Sequence, residues 1–216
     1  MTQEHCAPVV GLVGGIGSGK SAVARWVSRN ASVAVIDGDE AGHRALTDPE
    51  VQQRVLARFP GMADGPDNAI NRSRLAREIF GDNDTARVAR ADLERIVHPV
   101  IRRSLEEQIH SQRQAGDCTA ILLDAAVLLE AGWNDLCDHV VFVDAPEPDR
   151  LARVASTRHW DAAQYRARQA SQWPLERKQT SANTLLDNSG SLEHSGQTLL
   201  ELLETLPRTS SSSTSG

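Results

Sequence analysis

The stretch Gly14-Gly15-Ile16-Gly17-Ser18-Gly19-Lys20-Ser21 constrains this chain more than any other. It fits the pattern G-x-x-x-x-G-K-[ST], whose glycine-rich backbone turns N–H groups around a phosphate. The motif needs a strand before it and a helix after it, and both are legible. Residues 7–13 form a short apolar run of buried-strand type, and Ala22 to Val27 open well as a helix. That helix points its positive end at the same phosphate. Lys20 adds a mobile positive charge for the β- and γ-phosphates of ATP, and Ser21 offers a hydroxyl to Mg²⁺. The expected nucleotide-binding residues are therefore Gly15, Ile16, Gly17, Ser18, Gly19, Lys20 and Ser21.

Further buried strands are expected at Ser32–Ile36, Thr119–Asp124, Asp138–Asp144 and Thr184–Asn188. Between the second and third of the chain's strands lie about 77 residues with helical spacing, at Ala41–Leu46, Pro49–Phe59, Arg72–Phe80 and Asp84–Val97. Gly61–Asn71 reads as a loop, and His98-Pro99 as the start of a further helix that Gly116 stops. Pro146 to Arg158, His159–Gln172 and Leu192–Leu206 complete the helices. This is an α/β pattern: a parallel sheet flanked by helices, with a helical insertion over residues 40–116.

Ligands of open α/β sheets sit beyond the carboxyl ends of the strands. Asp37-Gly38-Asp39 closes one strand there, and Asp124 closes another. One of the first pair can take the proton of an attacking hydroxyl, with Asp39 favoured, while either can cap the next helix. Asp124 reads as the acid that holds Mg²⁺ or its water, or else as a helix cap. Arg150, Arg153, Arg158, Arg166 and Arg168 cluster late in the chain. They fit a lid that neutralises a transferring phosphoryl group, or a solvated helix face.

The bulk numbers set limits. The 216 residues suffice for one α/β domain with an inserted subdomain. The net charge of −6 gives no basic footprint for nucleic acid. Three scattered cysteines argue against a disulfide framework and a zinc site. With no apolar signal core and no run of membrane-spanning length, a soluble cytoplasmic protein without membrane association is expected. Residues 207–216, rich in Ser and Thr, read as a disordered tail.

Taken together, these pieces resemble the dephospho-CoA kinase family. Beyond the phosphate loop, the resemblance rests on Ile36-Asp37-Gly38-Asp39, Ile70-Asn71-Arg72, the block Leu93-Glu94-Arg95-Ile96-Val97-His98-Pro99-Val100-Ile101, the spaced Arg168, Gln172 and Lys178, and Asp187-Asn188-Ser189-Gly190. It covers residues 8–206. Three departures stand out. Ala126 replaces a usual proline within Asp124 to Glu130, the loop Phe59–Asn71 is rich in Gly and Asp, and Thr157-Arg158-His159-Trp160 departs from the commoner Arg-Asp-Gly.

The resemblance implies a P-loop kinase fold with core 8–39 and 117–206, a substrate-binding insertion 40–116 and a lid at about 158–174. It implies transfer of the ATP γ-phosphoryl group to the ribose 3′-hydroxyl of dephospho-CoA. Lys20, Asp39, Arg158 and Arg168 would be catalytic, Ser21 and Asp124 would hold Mg²⁺, and Asp39, Arg72 and His98 would meet dephospho-CoA. His98 is equally readable as a local cap, and Trp133 and Trp160 as packed residues rather than adenine platforms. A monomer is expected. Two other functions stay open: a kinase of another nucleoside- or nucleotide-like small molecule, and a non-catalytic nucleotide-binding regulator.

Overall fold

The computed structural model describes residues 5–64, 69–80, 83–207 and 209–210. After a two-residue strand, His5–Cys6 (β1), comes Val9–Gly14 (β2), buried at all six positions. The phosphate-loop sequence leads from β2 into α1 (Lys20–Asn30), then β3 (Val33–Asp37). Helices α2 (Gly38–Ala45) and α3 (Pro49–Arg58) follow. A short antiparallel ladder pairs Ala63–Asp64 (β4) with Ala69–Ile70 (β5), before α4 (Arg72–Ile79) and α5 (Asp84–Ala115). The chain re-enters the sheet as β6 (Ala120–Asp124) and β7 (His139–Asp144). Then come α6 (Glu147–Arg158), α7 (Ala162–Ala170), α8 (Leu175–Thr180), β8 (Thr184–Asp187) and α9 (Leu192–Thr205). Thr209–Ser210 (β9) pairs with β1.

The sheet order is β3-β6-β2-β7-β8, and every neighbouring pair is parallel. Side chains of β2 alternate between two cores, as strand geometry demands. Val9 and Val13 join one core with α2 to α5, whereas Val10 and Leu12 join another with α1 and α9. Covering both faces explains why the central strands read as continuous apolar runs. The register sets Asp37 opposite Asp124, so the carboxyl ends of β3 and β6 finish level beside the phosphate loop.

Three details depart from the sequence reading. First, β3 is an edge strand, so Ala34 and Val35 are only half-buried and Asp37 is exposed. Second, the expected 61–71 loop contains the β4–β5 ladder; its residues 65–68 lie outside the described residues, as do residues 208 and 211–216 of the expected tail. Third, His98-Pro99 does not begin a helix: Pro99 lies inside the 32-residue α5.

Proline removes one helical hydrogen bond and crowds the preceding turn. The helix runs through because its apolar stripe is buried on both sides of Pro99, at Leu93, Ile96 and Val97 before it and Ile101, Leu105 and Ile109 after it. Burial of that stripe outweighs the loss of one bond. Replacing Pro99 by Ala restores the missing donor, and thermal unfolding should show a gain of about 1–2 kcal/mol.

Candidate active site

The phosphate loop is shaped by two left-handed glycines, Gly17 at φ 78° and Gly19 at φ 95°. A Cβ on Gly19 would strike the side-chain amide of Asn188. Asn188 is buried, and its Nδ2 donates to the Ser18 carbonyl at 2.6 Å. Arg153 donates to the same carbonyl at 3.1 Å and to the Asn188 carbonyl at 2.8 Å. Arg150 is buried, and its Nε donates to the Ala145 carbonyl at 3.0 Å. These two arginines therefore scaffold the loop, and the lid reading narrows to Arg158 and Arg168. From α7, Gln169 Oε1 accepts a long hydrogen bond of 3.4 Å from the Ile16 amide.

Of the two roles that sequence left open for Asp37 and Asp39, the helix cap belongs to Asp37. Asp37 Oδ1 accepts from the amides of Asp39 and Glu40 at 2.9 and 3.0 Å and caps α2. Asp39, in the first turn of α2, leaves its exposed carboxylate to face the cavity with Lys20, Ser21 and Asp124. Asp124 is only 8% exposed. Burial pushes its pKa up, while Lys20 and a hydrogen bond from Ser21 pull it back. Burial pushes the Lys20 ammonium down; Asp124 and Asp39 oppose that, and Lys178 and Arg158 add to it.

The cavity holds about 500 Å³ and opens between the sheet ends, the insertion and the lid. Its far wall is one face of α5: Arg90, Leu93, Glu94, Val97, His98 and Ile101. His98 is thus a wall residue and not a helix cap. Its ring meets Trp133 edge-on at 5.3 Å, and burial lowers its pKa. Trp133 is 2% exposed and belongs to the core, as a packed tryptophan should. Arg72 stands outside the lining and donates to the His43 carbonyl at 3.2 Å, tying α4 to α2. Arg158, Trp160 and Arg168 form the lid side.

Two features had only a motif position as their sequence signal. Asn188 lies just past a strand end, with nothing to show that its amide reaches 170 residues back. Lys178 is 1% exposed and satisfies its three donors with Glu130 Oε1 at 2.8 Å, Gln172 Oε1 at 3.0 Å and the Ala126 carbonyl at 3.3 Å. Glu130 Oε1 also accepts the Trp173 amide at 2.9 Å. The turn that lacks the usual proline is therefore tied down by a lysine.

A phosphate loop at the head of a parallel sheet, with an exposed acid beside it and one open cavity running on to the α5 wall, is the arrangement of a P-loop kinase of small molecules. The family model described as dephospho-CoA kinase matches residues 8–194. Among curated relatives, the dephospho-CoA kinase of Corynebacterium jeikeium is 37% identical over 187 residues, 85% of this chain and 92% of that protein. That of Rhodopirellula baltica is 32% identical over 192 residues, 89% and 88% of the two chains. A Thermus thermophilus crystal structure superposes with TM-score 0.77 at 30% identity, over 93% of this chain and 98% of that one. The Campylobacter jejuni dephospho-CoA kinase shares the fold, with TM-score 0.59 at 18% identity over 94% and 99%. The chain belongs to the dephospho-CoA kinase family.

Removing one member of a buried ion pair strands the other charge. Lys178→Met should cost about 3 kcal/mol or more in urea unfolding, and Lys178→Met with Glu130→Met together should cost less than the single change.

Proposed function

We infer that this chain carries out the reaction of its family, the ATP-dependent phosphorylation of the ribose 3′-hydroxyl of dephospho-CoA to give coenzyme A and ADP. The observation that supports it most directly is the cavity that joins Lys20, Ser21, Asp39 and Asp124 to the α5 wall. The other two readings, a kinase of a different metabolite and a regulator without activity, are not favoured.

The chemistry asks for positioning and charge neutralisation more than for covalent work. The amides of the Gly15–Ser21 loop and the Lys20 ammonium hold the triphosphate. Asp39 accepts the hydrogen bond of the ribose hydroxyl and takes its proton as the phosphoryl group departs from ADP. Its placement suits this, because the neighbouring Asp37 already serves the helix cap. His98 and the rest of the α5 wall bound the space for dephospho-CoA. Arg158 and Arg168 approach from the lid, neutralise charge on the transferring group and exclude water that would compete as acceptor.

Ser21 and Asp124 fit Mg²⁺. They are one hydroxyl and one carboxylate, and no group of three acidic, His or Cys side chains is gathered among the described residues. Mg²⁺ takes few protein ligands and keeps waters and phosphate oxygens. When bound there, it would neutralise charge on the β- and γ-phosphates.

The test is direct. Purified protein with ATP, Mg²⁺ and dephospho-CoA should yield coenzyme A, and no turnover at micromolar enzyme rejects the inference. Asp39→Asn should lower kcat by about a hundredfold or more with ATP affinity kept. Asp37→Ala should instead cost about 1 kcal/mol of stability and lower kcat far less. Equal effects of the two on kcat would refute the division of roles.

A further inference from the structure

Trp160 lies between α6 and α7, and its surroundings give it a task. Its ring packs on the small cluster of Ile16, Val154 and Tyr165, so the indole is anchored to the phosphate loop itself. Two guanidinium groups lie over that ring. The Cζ of Arg168 is 4.0 Å from its centroid and that of Arg158 is 5.0 Å away. Both distances are within cation–π range. Arg168 also lies 4.9 Å from the ring of Phe80, the residue that ends α4. Among the described residues, neither arginine has a carboxylate partner.

The backbone fits the same picture. His159 is the one non-glycine residue with positive φ among the described residues, at 55°. That conformation costs a β-carbon residue on the order of 1 kcal/mol. His159 lies at the junction of α6 and α7, where Arg158 and Arg168, ten positions apart, meet on the indole of Trp160. Burial and Arg158 together lower the pKa of Arg168, as expected for like charges gathered at one place.

We propose that Trp160 is the positioning residue of the lid: its indole holds Arg158 and Arg168 over the cavity in readiness for phosphate, and Phe80 extends the grip on Arg168 to the insertion. This rests on the reading of both arginines as phosphate-neutralising groups. Two like charges in one pocket repel and spread. An aromatic face attracts both without neutralising either, whereas a carboxylate would compete with the triphosphate for them. The ring also sets each long side chain near its working place, so less rotamer freedom is lost when ATP arrives. Through Phe80, the same contact joins the lid to the wall of the second substrate.

The experiment compares steady-state kinetics of the parent with Trp160→Ala, Trp160→Phe and Phe80→Ala, varying ATP and dephospho-CoA separately. Trp160→Ala should lower kcat/KM for ATP about tenfold. Trp160→Phe keeps an aromatic face and should stay within about threefold of the parent. Phe80→Ala touches Arg168 alone and should lose about two- to threefold. In an Arg158→Met, Arg168→Met background, Trp160→Ala should have little further effect. ATP should also change tryptophan fluorescence in the parent, and that change should shrink in Trp160→Phe. Parent-like kinetics of Trp160→Ala would overturn the proposal, and so would an undiminished loss in the arginine-free background. A parent without activity on dephospho-CoA would instead strike at the reading beneath it. Circular dichroism melts of each variant separate unfolding from a kinetic effect.

Discussion

The phosphate loop keeps its shape because one of its carbonyls is held from behind. Ser18 turns its C=O to the buried amide of Asn188 and to Arg153. A loop of glycines has more conformations to lose than any other sequence, so a loop ready for phosphate needs an external restraint. That restraint comes from two elements distant in sequence, α6 and the end of β8. They meet the loop only because the parallel register brings all carboxyl strand ends to one edge. The site is therefore a property of the completed sheet and not of the motif alone.

A second tie works at the other side of the cavity. Lys178 gathers the turn after Asp124 and the end of the lid helix into one buried cluster. A buried charge is expensive unless every donor is met, and here all three are. The consequence is geometric. Asp124, the foot of its turn and the segment after α7 share one fixed point, so α7 is tied at one end to the strand that carries the buried Asp124.

The sheet and the phosphate loop were legible because their signals are local: apolar runs of strand length, glycines in a fixed pattern, acids at strand ends. The helical insertion was legible as helices, yet its course was not. Pro99 suggested a break because proline acts locally, and a stripe buried along both halves of α5 overrode it. The acids Asp37 and Asp39 were both visible, but which capped and which remained free depended on φ and ψ at the helix start. The arginines were the hardest to divide. Arg150 and Arg153 turn inward while Arg158 and Arg168 face the cavity, and spacing along helices alone does not reveal what lies opposite each face.

The distribution of apolar burial also decides which wall of the cavity is held least. Helix α5 carries the cavity wall on residues 90 to 101 and then continues as a core helix through Leu105 and Ile109. The α5 wall of the cavity is thus bolted to the largest core cluster among the described residues. The lid helix α7 has far less to hold it: Tyr165 is its one buried residue, in a cluster with Ile16 and Val154. Segments with few buried apolar contacts open at the lowest free-energy cost. The least anchored wall of the cavity is consequently α7, and the cluster that holds it includes Ile16, a residue of the phosphate loop. The phosphate loop and the cavity wall with the lowest cost of opening therefore share a single small core.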